Sequence, residues 1–386
     1  MHWAIGALAL VLGLPGAATA IHLGLLAAAS LAPPRILAVP DPPRVRFLIM
    51  IPAHNEAAVI STTLTAITAE RRPGDQVLVV ADRCTDTTAS IAREAGATVV
   101  ERGSGEPPGR AEARQAGIAY ALSRPESWDA LVMIDADSEI EPGFLAACEA
   151  ALATGAEALQ VRSEAALGPR LLDQLALAAS SIQGIVMPRG RARLGLLVRL
   201  RGTGMVLTKP LVSRFRFRAA ASEDLHYSLE LCLAGIHPMH VEQARLRSLN
   251  AGSWKVAGDQ RVRYEAGRMD AARRFVPDLL RRHDRASLEA AWFLMTPPFA
   301  AAALSLVAGT TLGVLAGAGW LAGGLGCLLL VLAAALLVGL AEAGAGPRTY
   351  LALALAPWYL LWKAAIQVRA VASLGRGVRT YAATPR

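Results

Sequence analysis

Two carboxylates, Asp135 and Asp137, stand one residue apart directly after the apolar run 131–134. A short apolar run of this kind is typical of a buried strand, so both carboxylates are expected on the turn that follows it. Carboxylate oxygens are the hard ligands that Mg²⁺ and Mn²⁺ prefer, and these ions are often held by one or two carboxylates together with substrate phosphates. The spacing therefore predicts a site for a divalent cation, Mg or Mn, and a phosphate-containing substrate.

Polar clusters that contain a carboxylate follow three apolar runs of the chain. They are Pro52-Ala53-His54-Asn55-Glu56, Asp82-Arg83-Cys84-Thr85-Asp86 and Asp135-Ala136-Asp137. In a parallel sheet the carboxyl ends of the strands lie at one edge, and ligands bind there. A single Asp after a strand is usually a helix cap. Three clusters at one edge favour a binding site instead.

Three further segments carry residues with possible chemistry. Ser222-Glu223-Asp224 has the pattern of a helix start, and a carboxylate in such a cap would also be fixed well enough for catalysis. Gln260–Tyr264 places two arginines, which could neutralise a leaving diphosphate, beside an aromatic ring that could stack on a sugar. Gly103–Arg110 precedes a helix but matches neither the P-loop nor the dinucleotide fingerprint, so a surface loop and a diphosphate site both remain open.

Apolar runs alternate with amphipathic stretches between residues 46 and 241. The predicted strands are 46–51, 76–81, 97–100, 130–134, 157–161, 204–208 and 236–241. The predicted helices are 55–70, 86–95, 110–122, 142–153, 170–187 and 223–234. This alternation predicts an α/β domain with a largely parallel sheet and covering helices. The fully apolar runs suit strands that are buried on both faces.

Nearly uncharged blocks flank this domain. The chain is 54% hydrophobic with a mean hydropathy of +0.38, which is high for a soluble enzyme. We predict an N-terminal transmembrane anchor (1–34), the α/β domain (43–257), an amphipathic interface helix (258–287), a transmembrane hairpin (288–341) and a final interfacial or transmembrane segment with a basic tail (342–386). The first block is too long for a signal peptide, although Ala18-Thr19-Ala20 leaves a cleaved leader open.

The 39 Lys and Arg residues outnumber the 31 acidic residues, and the excess cations lie beside apolar blocks. Arg35, Arg44 and Arg46 follow the first block, and 258–285 carries eight Arg against five acids. This arrangement favours an anionic membrane surface, and not a nucleic acid, as the partner. The positive-inside rule places 35–287 in the cytoplasm and the N-terminus outside.

The last apolar stretch, 350–362, is shorter than a spanning helix. The cations after it favour a cytoplasmic tail; they are Lys363, Arg369, Arg376, Arg379 and Arg386. We therefore predict an interfacial or re-entrant segment here, with a fourth span as the alternative.

The order of the motifs resembles that of the membrane-associated family 2 glycosyltransferases, which include relatives of cellulose and hyaluronan synthases. The motifs are 51–56, 79–88, Asp135-Ala136-Asp137, Glu223-Asp224 and 260–264, and the resemblance covers about 47–268. It implies a GT-A fold, the α/β fold of nucleotide-diphospho-sugar transferases, with flanking transmembrane helices. It also implies an inverting sugar transfer from a nucleotide-sugar, with UDP favoured as the nucleotide.

The same resemblance implies a role for individual residues. The donor-binding positions are Pro52, His54, Asn55, Glu56, Asp82, Arg110, Asp135, Gln260, Arg261 and Arg263. The acceptor-side positions are Gly202, Thr203, Gly204, Glu223 and Tyr264. Asp135 and Asp137 correspond to the metal ligands, and Asp224 corresponds to the general base. In two places the chain departs from the family, because Tyr264 replaces the usual Trp and Arg110 replaces Lys.

The implied partners are a nucleotide-sugar donor and a membrane-bound acceptor, which is a glycolipid, a polyprenyl-linked molecule or a polysaccharide. Envelope-polysaccharide assembly partners are possible, and the implied site is the cytoplasmic face of the inner membrane. We expect the addition of one or a few sugars to the acceptor. Residues 290–340 contain no charged side chain, whereas a channel for a long polar polymer needs polar groups within the membrane.

Two alternative functions remain. A membrane-bound nucleotidyltransferase would carry a Gly-rich, Lys-containing loop after the first strand, where this chain has His54-Asn55-Glu56. A non-catalytic partner subunit of a polysaccharide synthase complex would not need a complete acid set, whereas Asp82, Asp135, Asp137 and Asp224 are all present. Binding of UDP with Mn²⁺ would separate these alternatives.

Overall fold

The computed structural model describes residues 2–124, 127–249 and 253–374. These residues divide into two compact units. The α/β unit comprises 34–166 and 197–268, and the helical unit comprises 2–33, 167–196 and 269–374, apart from the gaps just named. The predicted α/β domain (43–257) is continuous along the chain. In the structure, 167–196 interrupts it and packs within the helical unit.

The helices are numbered in chain order. They are α1 His2–Ser30, α2 Ile60–Glu70, α3 Thr88–Glu94, α4 Arg110–Ser123, α5 Phe144–Leu152, α6 Leu171–Ser181, α7 Met187–Leu194, α8 Lys209–Arg214, α9 Glu223–Leu233, α10 Trp254–Arg282, α11 Arg285–Met295, α12 Phe299–Leu315, α13 Gly319–Glu342, α14 Pro347–Ala352 and α15 Ala356–Leu374. A π-helical turn, Ile182–Val186, joins α6 to α7, and a 3₁₀ turn, Leu353–Leu355, joins α14 to α15.

A mixed sheet forms the centre of the α/β unit. Within the described residues its eight strands are β1 Phe47–Ala53, β2 Gln76–Asp82, β3 Thr98–Arg102, β4 Ala130–Met133, β5 Ser138–Ile140, β6 Ala158–Ala165, β7 Met205–Thr208 and β8 Met239–Ser248, in the spatial order β3-β2-β1-β4-β7-β6-β8-β5. Strand β1 is parallel to β2 and β4, and β2 is parallel to β3. Strand β7 is antiparallel to both β4 and β6. The predicted parallel-rich α/β sheet is confirmed.

Alternate residues of the central strands are buried on opposite faces of the sheet, as the period of a strand requires. Ile49 and Val79 belong to the core on the side of α2 and α5. Met50 and Val80 belong to the core on the side of α4. Burial on both faces explains why these strands appear in the sequence as continuous apolar runs. The three-residue strand β5 is too short to produce such a signal, and no prediction includes it.

Helix α10 covers most of the predicted amphipathic region. Its buried stripe includes Ala271, Phe275 and Leu279, whereas Arg273 and Arg274 are exposed. The apolar positions of the sequence at helical spacing are Val262, Ala266, Met269, Ala272, Val276 and Leu280, of which Ala266 is buried and Leu280 is exposed. The amphipathic helix is therefore present, and after Ala266 its buried face is offset by about one residue from the predicted one.

Among the described residues, four helical segments are long and apolar enough to cross a membrane: His2–Ser30, Leu171–Leu194, Gly319–Glu342 and Pro347–Ser373. The second overlaps the predicted helix 170–187, which the sequence pattern assigns to the α/β domain. The fourth exceeds the predicted apolar stretch 350–362 because the helix continues to Leu374. Its length agrees with the fourth-span alternative; Arg376, Arg379 and Arg386 lie outside the described residues.

The first half of the predicted transmembrane hairpin (288–341) is not one straight helix. It is divided into Arg285–Met295 and Phe299–Leu315, which are bent by 65°. Pro297 and Pro298 separate the two helices. Proline lacks a backbone N–H and restricts the residue before it, so a helix usually ends at such a pair.

Glycines allow close contacts within the helical unit. A Cβ added to Gly16 of α1 would lie 2.5 Å from the backbone oxygen of Ala302 on α12. One added to Gly309 of α12 would lie 3.0 Å from the backbone oxygen of Ala9 on α1. Small residues that let two helix backbones approach this closely are common where membrane helices pack.

Candidate active site

The loops after β1 and β2 are held together by hydrogen bonds. His54 Nδ1 lies 2.6 Å from the backbone oxygen of Asp82. The side-chain oxygen of Asn55 accepts a 2.8 Å bond from the Thr85 amide, and the Glu56 amide donates to Thr88 Oγ1 at 2.8 Å. The predicted donor-binding cluster Pro52–Glu56 is thus packed against the Asp82 cluster, at the ends of two parallel strands.

Asp82 is buried at the end of β2 and is surrounded by arginines. Its carboxylate accepts a 2.6 Å bond from Arg102 and lies 3.3 Å from Nε of Arg83. Arg102 is the neighbour of Asp82 in the register of β2 and β3, and it is buried as well. The resemblance assigns Asp82 to donor binding and does not single out Arg102, because strand pairing alone brings the two residues together.

Asp135 and Asp137 lie on the turn between β4 and β5. The Asp135 amide donates to Thr203 Oγ1 at 3.1 Å, and its carboxylate lies 3.4 Å from Nη1 of Arg110. The Asp137 side chain accepts a 3.4 Å bond from the hydroxyl of Ser138. The two predicted metal-ligand residues therefore lie at the predicted strand end, with the predicted donor-binding residue Arg110 beside them.

The donor set at this turn fits a divalent cation that also binds a substrate. Within the described part of the chain, no group of three or more His, Cys, Asp or Glu side chains could hold a metal ion by itself. Asp135 and Asp137 carry carboxylates, which are hard donors, and both side chains are partly exposed. A hard cation at such a site completes its coordination with phosphate oxygens and water.

The turn Gly202-Thr203-Gly204 brings the acidic start of α9 next to the arginines of α4. Gly202 has φ +83°, and a Cβ added there would lie 3.2 Å from Oδ2 of Asp224, 3.3 Å from Nη2 of Arg114 and 3.9 Å from Nη1 of Arg110. A side chain at position 202 would therefore crowd the polar groups around it. The glycine is favoured chiefly by its left-handed conformation, which other residues rarely adopt.

Gly204 is held by packing. Its φ is +67°, and an added Cβ would lie 2.3 Å from Val161. Its amide donates to the backbone oxygen of Met133 at 2.8 Å. The turn that the resemblance assigns to the acceptor side thus lies against the end of β4, beside Asp135.

Asp224 is the partly exposed carboxylate in the first turn of α9. Burial raises the pKa of Asp224 to about 6, the neighbouring Glu223 carboxylate adds to the rise, and the Arg114 guanidinium opposes it. A carboxylate with a pKa near neutrality is suited to accept a proton. The hydroxyl of Ser222, the predicted N-cap, donates to the backbone oxygen of Tyr264 at 3.4 Å and makes no capping bond within α9.

The segment Gln260–Tyr264 lies in the first turns of α10, and its side chains are partly buried. The helix approaches the start of α9 closely at Gly267, where an added Cβ would lie 2.4 Å from the hydroxyl of Ser222. This contact and the bond from Ser222 bring Tyr264 near Asp224. Gln260, Arg261 and Arg263 lie in the same turns of α10.

Arg114 and Arg201 are absent from the predicted site residues. Arg114 is fully buried and donates to Glu223 at 2.7 Å and to the backbone oxygen of Gly202 at 2.6 Å. Burial lowers the pKa of Arg201, and the opposing contributions come from Tyr264 and Asp224, so its guanidinium lies near both. Arg114 stands four residues after Arg110, a spacing that puts both on one face of a helix and could have indicated it. For Arg201 we find no comparable signal.

The parallel-rich α/β sheet that carries these strand ends is GT-A-like. The chain belongs to the glycosyltransferase-like family 2, whose family model matches residues 42–267. The matched range includes the segment 167–196, although that segment belongs to the helical unit. Among curated proteins, none matches the chain.

Two solved structures resemble this protein. Mannosyltransferase PcManGT from Pyrobaculum calidifontis, in complex with GDP-Man and Mn²⁺, has a TM-score of 0.55 and 18% identity, and the match covers 96% of this chain and 98% of that one. Glucosyl-3-phosphoglycerate synthase from Mycobacterium tuberculosis, in complex with Mn²⁺, UDP and phosphoglyceric acid, has a TM-score of 0.41 and 22% identity, covering 63% of this chain and 80% of that one. At 18% identity the likeness to the mannosyltransferase concerns the fold.

Proposed function

We propose that this family 2 glycosyltransferase transfers a sugar from a nucleotide-diphosphate sugar to a membrane-bound acceptor, with inversion at the sugar C1 and with help from a divalent cation. The acceptor class is a glycolipid, a polyprenyl-linked molecule or a polysaccharide. We place the reaction at the cytoplasmic face of the membrane, and UDP is the first choice of nucleotide. The fold neighbour PcManGT was solved with GDP-Man, so GDP-sugars belong in the same test.

One observation carries this proposal: the structure gathers a possible proton acceptor and possible diphosphate partners around one glycine. Asp224 and the two arginines of α4 surround Gly202, and Asp135 lies 3.4 Å from Arg110. A proton acceptor on one side of a reacting carbon and cations on the other are what an in-line displacement requires. None of the elements that carry these groups is adjacent to another in sequence.

The proposed reaction is a single displacement. Asp224 accepts the proton of the acceptor hydroxyl while the oxygen of that hydroxyl forms a bond to the sugar C1. The bond from C1 to the diphosphate oxygen breaks, and its electron pair leaves with the nucleoside diphosphate. Arg110 lies where it can neutralise this charge, and the arginines of Gln260–Tyr264 are further candidates. Asp135 and Asp137 would hold the cation, which when bound stabilises negative charge on the diphosphate.

The membrane setting is part of the proposal. The apolar helices of the helical unit, described above, have the length and composition of spans. Exposed Arg273, Arg274, Arg281 and Arg282 on α10 suit contact with anionic headgroups. A lipid-linked acceptor at this surface would present its hydroxyl near the enzyme. We expect a product of one or a few added sugars, and an envelope-polysaccharide assembly partner could act on it further.

The direct test uses purified full-length protein in nanodiscs with membrane lipid extract. A panel of UDP- and GDP-sugars is supplied with Mn²⁺ or Mg²⁺, and both nucleoside diphosphate release and labelled organic-extractable product are measured. We expect release with one class of donor, dependent on the lipid extract and lost in Asp224→Asn. Transfer of a nucleotidyl group to the lipid, or no donor binding, would contradict the proposal. A high-molecular-weight product from the purified protein alone would refute the short-product expectation.

The topology is tested separately. Reporter fusions to the loop after Ser30 and to the C-terminus should report the cytoplasmic side for the α/β unit and resolve whether Pro347–Ser373 spans. A cytoplasmic C-terminus follows if this segment is interfacial, and an external one follows if it spans as a further crossing after the hairpin. An α/β unit on the external side would contradict the cytoplasmic placement.

A further inference from the structure

Arg114 joins parts of the candidate site that are far apart in the chain. Its side chain is fully buried. One end of the guanidinium donates to Glu223 at 2.7 Å, and the other donates to the backbone oxygen of Gly202 at 2.6 Å and lies 3.8 Å from Asp135. It therefore contacts the start of α9, the glycine turn and the carboxylate that is the proposed metal ligand. A planar, forked donor can hold several acceptors in one geometry, as a lysine cannot.

A buried arginine that served stability alone would be expected to have all its donors satisfied. Within the described part of the chain, Nε of Arg114 is buried without a hydrogen-bond acceptor. The central carbon of the guanidinium lies 5.7 Å from the ring centre of Phe217, so the Arg114 guanidinium also packs against an aromatic ring. This combination of a fixed position and an incomplete set of partners is costly, and it recurs where a charge serves the chemistry of a site.

We propose that Arg114 is a positioning residue for the proposed sugar transfer, which holds the start of α9 and the Gly202 turn in register with Asp135. The proposal rests on the proposed function. In the reaction, the oxygen of the acceptor must approach C1 from the side opposite the diphosphate. The proton acceptor on α9 and the donor side at Asp135 therefore need a fixed separation. Arg114 provides a direct link between the two, and a misplacement of about 1 Å can cost about 100-fold in rate.

The same arginine influences the charge of Asp224. The charged and titratable groups that face Asp224 are Glu223 on its own helix, Arg110 and Arg114 on α4, Arg201 beside the glycine turn and Tyr264 on α10. Glu223 raises the pKa of Asp224, and Arg114 and Arg110 lower it. Loss of Arg114 should therefore raise the pKa of Asp224, and loss of the Glu223 charge should lower it.

The experiment compares Arg114→Gln, Arg114→Lys and Glu223→Gln with wild type in full-length protein. Arg162→Gln is the matched control, because Arg162 is also buried in the α/β unit and also pairs with acids, here Glu164 and Glu242. The first readout needs no substrate: the carboxyl band of Asp224 is titrated by infrared spectroscopy and identified by its absence in Asp224→Asn. The second readout separates kcat from KM for donor and acceptor.

We expect Arg114→Gln to raise the midpoint of the Asp224 titration and Glu223→Gln to lower it. We expect kcat to fall about 100-fold in Arg114→Gln, with donor KM changed by no more than a few-fold and partial recovery in Arg114→Lys. Arg162→Gln should lower thermal stability and leave the titration unchanged. If Arg114→Gln behaves like Arg162→Gln, or if Arg114→Lys is fully active with an unchanged titration, the positioning role is refuted.

The outcomes also separate this proposal from the proposed function. If the wild type transfers no sugar from any donor, the proposed function is wrong, and the infrared titration still decides whether Arg114 controls the charge of Asp224. If Arg114→Gln does not fold, Arg114→Lys serves instead, because it keeps the charge and loses the forked donor geometry. It must still lower kcat while shifting the Asp224 titration less than Glu223→Gln does, and a wild-type kcat in Arg114→Lys overturns the proposal.

Discussion

Both units of this protein bury arginines beside acids, and the surroundings of Arg191 and Arg114 differ. In the helical unit, Nε and Nη2 of Arg191 donate to the same Glu289 oxygen at 2.8 and 2.7 Å, and His22 lies 3.0 Å from that carboxylate. The guanidinium also lies 5.2 Å from the ring centre of Phe293. In the α/β unit, Arg114 divides its donors among a carboxylate, a backbone oxygen and a more distant acid.

The difference indicates different roles. Arg191 and Glu289 neutralise each other in an enclosed setting, where both side chains are buried. Such a closed pair can connect helices without any ligand. Around Arg114 the acids Asp135, Glu223 and Asp224 remain partly exposed, and Asp224 keeps a raised pKa. Charges that face an accessible space and are incompletely neutralised are typical of sites that handle ligands. Four changes should test this contrast.

The largest effect is expected at Asp224. Asp224→Asn removes the proton acceptor and should lower the rate of sugar transfer by about 10²–10⁴-fold. Binding of UDP with metal should stay within a few-fold of wild type, because Asp224 lies on α9 and not on the Asp135 turn. Transfer is measured by product formation and binding by calorimetry. A near-normal transfer rate would mean that Asp224 only begins a helix.

The next effect is expected in the helical unit. Arg191→Ala leaves the charge of Glu289 buried without its guanidinium and should lower the free energy of unfolding by about 3–5 kcal/mol. Detergent-solubilised protein is followed by denaturant unfolding. Replacing both partners, with Arg191→Met and Glu289→Leu, should recover most of the loss. As a surface control, Arg93→Ala removes an exposed pair with Glu101 and should cost less than about 1 kcal/mol.

Asp137→Ala should weaken donor binding in the presence of Mn²⁺ or Mg²⁺ and leave metal-free binding little changed, because hard cations depend on carboxylate oxygens. Titration of nucleotide with and without EDTA measures both. Unlike Arg191→Ala, this variant should keep wild-type stability, since Asp137 is partly exposed. Full wild-type activity in excess EDTA would refute the metal assignment of both Asp135 and Asp137.

The smallest effect concerns pH. Because Asp224 must be ionised to accept a proton, and its pKa is about 6, kcat/KM should fall on the acid side of pH 6.

The same group should make stability depend on pH. The folded pKa of Asp224 lies above the ordinary Asp value, so the folded protein binds protons more tightly than the unfolded chain. The resulting stabilisation is present at low pH and is lost as pH rises from about 4 to 6. Asp224→Asn should remove this pH dependence and raise the unfolding free energy at pH 8 by up to about 3 kcal/mol. An identical stability profile for the two proteins between pH 4 and 8 would contradict the raised pKa.

The amino-acid sequence determined the parallel-rich α/β fold and the strand ends that carry the polar clusters. Buried strands such as 76–82 need continuous apolar residues, and the carboxylates must follow where the strand leaves the core, so both features are local in the chain. The family followed from the order of the motifs. The apolar flanks also indicated helices long enough to cross a membrane, because composition and length decide that property.

Only the tertiary structure decided how Arg102, Arg114 and Arg201 are used. Arg102 meets Asp82 through strand pairing across 20 residues of chain, and Arg114 meets Glu223 across 109. The transfer of 167–196 to the helical unit is of the same kind. An apolar, helix-forming segment can pack equally well against a sheet or against other helices, and local sequence does not distinguish the two. Contacts between distant segments depend on how whole layers pack, so the partners of a buried charge are specified by the fold and not by the residues beside it.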